Sequence, residues 1–343
     1  MHAELTIPAS GPDPAVTLDG VSATTTVRPA SVVITTIESA SAAANPGTTT
    51  TGAGFVVAGE AFRVTVQVRN ALGALTPNFG NEIVSEGLLL NSVSLVMPAS
   101  GNNPPLNDAN NFVSTGSAGE FMNSAVNWLE VGTITMDASI TDGDYLGAGN
   151  ITSATTGNVG RFYPLHLRLM SSTVDNGCSA DNFTYMSDQS FSHAPVDINY
   201  TLNAEYQLDQ LVTNYDSSLG YPVDTFSVAA ENNNDGANLA SRVLLPSGTW
   251  VQGELIVIGS DNGGFRRLFS GTEQVDGPFS NLQLGLIRSP SSVDTTDFLA
   301  SQLNLNANTS GDCVAATDCD AISLGSPLNT RFGRLYLKDT HGP

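Results

Sequence analysis

The sequence predicts an all-β chain of tandem immunoglobulin-like β-sandwich domains, the second with an insertion. Three observations carry that reading. Short β-branched runs alternate with Pro, Asn and Gly clusters along the 343 residues, which is the strand and turn spacing of a sandwich. Only 13% of residues are charged against 41% apolar, and Thr, Ser, Asn and Gly fill the difference, as in exported β proteins. A set of short motifs also recurs in the same order in the two halves, the mark of a repeated unit.

Residues 1–30 hold Leu5-Thr6-Ile7, Val16-Thr17-Leu18 and the run from Val21 to Val27, broken by Pro8, Gly11, Pro12, Pro14 and Gly20. These extended pieces are too short for a core of their own and read as the end of a preceding β unit or a linker. The first sandwich is expected over residues 31–160. It opens with Val32-Val33-Ile34-Thr35-Thr36-Ile37, and residues 39–54 form a loop. Val64, Val66 and Val68 then alternate with Arg63, Thr65, Gln67 and Arg69. One face is apolar and the other wet, so this is a half-buried strand. Asn70-Ala71-Leu72-Gly73-Ala74 follows as a turn, and further strands are expected at 92–97, 125–129 and 132–140.

The second, larger sandwich is expected over residues 161–335, with strands at 164–170, 195–202, 223–230, 240–245, 249–258 and 279–287. Leu255-Ile256-Val257-Ile258 is apolar without a break, which suits a strand buried on both faces. Residues 290–325 are rich in Ser, Asp, Asn and Thr and read as an excursion, with a short helix at 297–303, before a last strand at 332–337. Residues 336–343 begin a further unit or form a tail.

The repeats fix this division. Phe55 to Phe62 matches Phe183 to Phe191, Asn70-Ala71 matches Asn203-Ala204, and Asn78-Phe79 matches Asn214-Tyr215. Gly160-Arg161-Phe162-Tyr163 recurs as Gly333-Arg334-Leu335-Tyr336, with Arg28-Pro29 as a fainter third copy.

Lys and Arg number 12 against 33 Asp and Glu, a net charge of −21. Such a surface repels nucleic acid and anionic membranes, and no window approaches the roughly 20 apolar residues of a membrane span. No signal peptide opens the chain, which reads as a mature piece of something larger. Cys313 and Cys319 are expected to form a disulfide in an oxidising compartment, leaving Cys178 free or paired in a longer parent.

Gly160-Arg161-Phe162-Tyr163-Pro164, Cys178, Phe183-Thr184-Tyr185-Met186, Asn203-Ala204, Thr213-Asn214-Tyr215 and Arg331-Phe332-Gly333-Arg334-Leu335 together resemble the C-terminal region of the MshQ-like family. These are biogenesis proteins of the mannose-sensitive haemagglutinin (MSHA) type IV pilus. The resemblance covers most of residues 30–343. It implies an exported protein at the surface of a Gram-negative bacterium, with pilus or cell-surface proteins as partners; the sugar-binding role of the relatives' lectin-like portion is not carried over, and surface glycans are a partner expected only of the adhesive reading. Ser187-Asp188 stands where relatives carry Gly-Gln.

No cluster reads as catalytic. His2, His166, His193 and His341 are scattered, and no nucleophile motif stands on a strand-to-helix turn. Asp142 and Asp144, in Thr141-Asp142-Gly143-Asp144-Tyr145 shortly before the second unit, offer oxygen ligands to a hinge-stiffening Ca²⁺; the alternative is an ordinary acidic turn. No other cofactor is implied. Binding is expected on loops that differ between the copies, around Asp235, around Asp261 and Asn262, and at the cysteine loop, with Trp250 near a turn as a sugar-stacking surface or a core residue. The expected function is that of a non-catalytic structural and adhesive module. The alternatives are a carbohydrate-binding adhesin domain and a glycan-active enzyme.

Overall fold

The computed structural model describes residues 2–23, 25–191, 195–268, 276–289, 294–315 and 317–333. Among them there is no α-helix; apart from 3₁₀ turns, the regular structure is β. Strands β1 (His2–Ile7) and β2 (Val16–Val21) pair as a free-standing antiparallel hairpin.

The first sandwich contains β3 (Ser31–Ser39), β4 (Phe62–Arg69), β5 (Leu88–Met97), β6 (Phe112–Ser114), β7 (Glu120–Asn123), β8 (Gly132–Ile140) and β9 (Val159–Phe162). One sheet runs β3-β4-β7-β6 and the other β5-β8-β9, all antiparallel. The alternating valines of β4 point inward, and one buried cluster joins them to Leu88, Leu90, Ile134, Met136 and Phe162 of the opposite sheet. Apolar residues at every second position of two facing sheets can leave water only by packing on each other, which is what makes a sandwich.

No strand forms at 125–129. The Asn123 side-chain oxygen accepts the backbone N–H groups of Ala125 and Val126 at 2.9 and 3.1 Å, so those donors are taken before a ladder can use them. Trp128 still packs in the core, 5.2 Å from the Phe162 ring.

The second sandwich holds β10 (His166–Asn176), β11 (Thr184–Tyr185), β12 (Val196–Gln207), β13 (Gln210–Leu211), β14 (Thr225–Asn232), β15 (Val243–Leu244), β16 (Trp250–Val251), β17 (Glu254–Val257), β18 (Gly264–Phe265), β19 (Phe279–Ser289) and β20 (Ile322–Arg331). One sheet runs β10-β12-β17-β16, with β13 on β12, and the other runs β11-β20-β19-β14; β15 and β18 form a separate pair.

The repeated motifs follow this architecture in part: Asn70-Ala71 lies in the turn after β4, whereas its counterpart Asn203-Ala204 lies within β12. Val57 bridges Tyr163 in parallel just after β9, and β11 pairs in parallel with the end of β20. In both units a short segment from the opening loop thus closes the sheet beside its last strand. Arg334 to Tyr336 lie outside the described residues, so that copy of the junction motif is not placed, and only Phe332 and Gly333 of the expected last strand fall within them.

Other sequence expectations are corrected. Residues 249–258 form a hairpin, β16 and β17, rather than one strand, and the apolar run is not buried on both faces. Leu255 and Val257 are buried, whereas Ile256 and Ile258 are 51% and 80% exposed. The sheet has its partner on one side only, so alternate residues of β17 meet water whatever their polarity. Residues 240–245 begin with a 3₁₀ turn, Ala240–Arg242, and at 297–303 there is only the 3₁₀ turn Ala300–Gln302. The boundary also moves: Arg161 and Phe162 belong to β9 and hence to the first sandwich.

The junction between the sandwiches is packed and hydrogen-bonded. Ala58, Met97 and Val131 of the first unit join the core of the second. The buried Glu130 carboxylate accepts the backbone N–H groups of Thr213 at 2.8 Å and Asn214 at 3.1 Å, and the Thr213 hydroxyl as well. Burial pushes this carboxyl above its ordinary range, against the pull of those hydrogen bonds. Asn214 donates to the carbonyls of Asn102 and Val131 and accepts the Asn102 N–H at 2.6 Å. Arg161, fully buried, donates to Asp294 of the second unit at 2.6 and 3.2 Å and to the carbonyls of Thr49 and Gly52.

Candidate functional site

The insertion builds a polar surface on the second sandwich. On β19, Leu282, Leu284 and Leu286 face the core, so Asn281, Gln283 and Gly285 face outward. The excursion lies across that outer face, and a small second core forms where Leu305, Ala307 and Ala321 meet Ala229 of β14. Its close approach depends on Gly285, where a Cβ would stand 2.5 Å from Leu305 Cδ2 and 2.6 Å from the Ile322 carbonyl oxygen. The leucine end can move, but the carbonyl belongs to the paired strand and cannot.

Gly285→Ala is therefore expected to lift the excursion, costing about 1–3 kcal/mol. Amide exchange at Leu305 and Ala307 should accelerate while exchange in β4 stays as it was. Unchanged exchange at Leu305 would refute this account of the seat.

Beside the seat the two surfaces leave a polar groove of about 310 Å³. Glu231, Asn281 and Gln283 line it from the sheet, and Asn234, Asn306 and Asp312 from the loops. The loops are tied together: Asn234 donates to Asp312 at 2.8 Å, Asp235 bridges Ser310, and Asn238 donates to Asn308 at 3.0 Å. A disulfide joins Cys313 and Cys319 with their Cα atoms 5.2 Å apart and holds the end of the excursion. Glu231 is only 2% exposed, and burial raises its carboxyl above the ordinary range.

The expected site residues fall into separate places. Asp235 stands in the loop beside this groove, where its side chain caps Ala237 N–H at 2.8 Å. Asp261 and Asn262 lie at the start of β12 instead. There Asn262 accepts the Ile198 N–H and donates to the Ile198 carbonyl, both at 2.8 Å, imitating a strand partner. Trp250 is not a surface for stacking: it is 2% exposed and donates its indole N–H to the Asp224 carbonyl at 3.1 Å. Turn position suggested exposure, but the two-residue strand β16 turns the ring inward, onto Tyr215.

Asp142 and Asp144 sit at the end of β8 remote from the second sandwich, so proximity in sequence to the junction is not proximity in space. Each accepts a backbone N–H within its own loop, from Asp144 at 3.0 Å and from Gly149 at 2.7 Å. Among the described residues no three or more His, Cys, Asp or Glu side chains gather as a metal site.

A second cleft, about 560 Å³, opens between the sandwiches beside Gly59, Leu129, His166 and Tyr206. His166 Nε2 lies 3.0 Å from the buried Glu205, which Arg168 also grips at 2.8 and 3.0 Å. This ion cluster fixes β10 to β12 and is structural in its geometry.

The loops of the polar groove stand out in the sequence, whereas Asn281 and Gln283 do not. The available signal was the polar half of the alternation around Leu282, Leu284 and Leu286.

Fold and site together define a tandem β-sandwich protein whose second unit carries an inserted, groove-forming excursion. The chain belongs to the DUF6701 family: the profile of its third domain matches residues 130–320 and that of its second domain residues 28–145. No curated protein matches the chain. Among solved structures, the adhesin InvE of Yersinia pseudotuberculosis is similar at 10% identity with a TM-score of 0.30, over 78% of this chain and 55% of that one. The chain thus spans little more than half the length of that structure.

Proposed function

We propose that this is an exported, non-catalytic structural and adhesive module of the MshQ-like type, acting at the bacterial surface in association with a type IV pilus. The locked junction is the observation that carries the reading. A stalk that presents loops at a distance needs its two sandwiches held in one orientation, and the buried Arg161–Asp294 pair and Glu130 hold them so. The disulfide suits an oxidising exterior. Pilus and cell-surface proteins are its partners in this reading.

Calorimetry and small-angle scattering on the whole chain test it together. One cooperative transition and a single elongated particle are expected. Two independent melting transitions, or a broad spread of inter-sandwich angles, would remove the support for a rigid presenting module.

A further inference from the structure

We propose that the polar groove of the second sandwich receives a basic side chain, arginine foremost, from a protein partner. This deepens the adhesive reading above and rests on it for the presence of a partner.

Among the described residues, the groove holds unspent acceptors and lacks positive charge. Two carboxylates, Glu231 and Asp312, line the groove, and no Lys or Arg lines it with them. Neither takes part in an ion pair among the described residues. Glu231 is almost wholly buried, yet its one protein partner among the described residues is the Gly236 N–H, received by Oε2 at 3.3 Å. Oε1 is left over. Asp312 gives Oδ1 to Asn234 and keeps Oδ2. Gln283 spends its amino group on the carbonyls of Leu284 and Leu324 at 2.8 and 2.9 Å, which leaves its oxygen toward the groove. The oxygen of the Asn234 side chain has no partner among the described residues either.

The groove therefore presents acceptors on both walls, two of them anionic. Neither carboxylate is among the buried side-chain atoms left without a partner, so their open oxygens are reachable from the groove, where a cation can pair with them. A planar guanidinium, with five donors and a permanent charge, matches this set better than a neutral hydroxylated ring, which brings as many acceptors as donors. A bare metal ion fits poorly, because the oxygens are spread over the two walls of a 310 Å³ space rather than gathered around a point. The net charge of −21 draws a basic partner toward the surface.

The test is titration of the whole ¹⁵N-labelled chain with Gly-Arg-Gly amide, with its neutral citrulline analogue, and with a neutral methyl glycoside. The arginine peptide is expected to shift the side-chain amide signals of Asn281, Gln283 and Asn234, and the citrulline peptide to bind about tenfold or more weakly. Asp312→Asn, on an exposed loop, should weaken the arginine peptide by about tenfold and keep the melting temperature, and the isosteric Glu231→Gln should weaken it similarly. Equal response to citrulline, stronger response to the glycoside, the same shifts with Ca²⁺ alone, or no shift at these amides would each overturn the proposal.

Discussion

Replacing Arg161 with methionine is expected to destabilise the chain by about 3–5 kcal/mol, a fall in melting temperature on the order of 10 °C. The guanidinium is fully buried and divides its donors between Asp294 in the second sandwich and the carbonyls of Thr49 and Gly52 in the first. Methionine fills much of the volume but offers no donor, so a buried carboxylate and two carbonyls lose the donors that Arg161 supplied. The loss is concentrated at the junction, and the single melting transition should split or broaden. Arg161→Met with Asp294→Asn should recover part of the stability, because the second change removes the charge that the first strands. A melting temperature within a degree of the parent, or a double variant no better than the single one, would show that the pair does not lock the sandwiches.

That pair also marks where sequence legibility stops. Arg161 stood out as part of a repeated motif, but its partner lies 133 positions away in a Ser- and Asp-rich stretch with no periodicity. Nothing local distinguishes Asp294 from its neighbours. What was legible was whatever one element encodes by itself. The valines of β4 announce their buried face because alternation is a property of a single strand. The run 255–258 misled for the complementary reason: its apolarity says that β17 tolerates burial, while the number of covered faces depends on a layer encoded elsewhere. The cysteine pair and the loop around Asp235 were visible as candidates one by one. Their meeting across the outer face of β19 depends on Gly285 and Ala229, small residues whose purpose appears only once the excursion lies on them.

Trp250 supplies the second large effect and joins core to junction. Trp250→Ala is expected to cost about 3–5 kcal/mol, the range for removing a buried aromatic ring. The indole meets Tyr215 edge-on at 4.8 Å and Phe226 at 6.2 Å, and its N–H holds the Asp224 carbonyl. Tyr215 in turn accepts the Asp224 N–H through its hydroxyl at 2.8 Å, so ring and backbone form one cluster. The residue before Tyr215 is Asn214, which bonds to Asn102 and Val131 of the first sandwich. Emptying the Trp250 site should therefore loosen the Asn214 contact as well as the core, and the inter-sandwich angle measured by scattering should spread. Trp250→Phe retains most of the packing and loses the N–H, so its cost should be the smaller of the two. A surface-stacking tryptophan would behave otherwise: its removal would change stability by no more than about 0.5 kcal/mol. Chemical denaturation of the two variants separates these cases, and a near-parental midpoint for Trp250→Ala would return the residue to the surface.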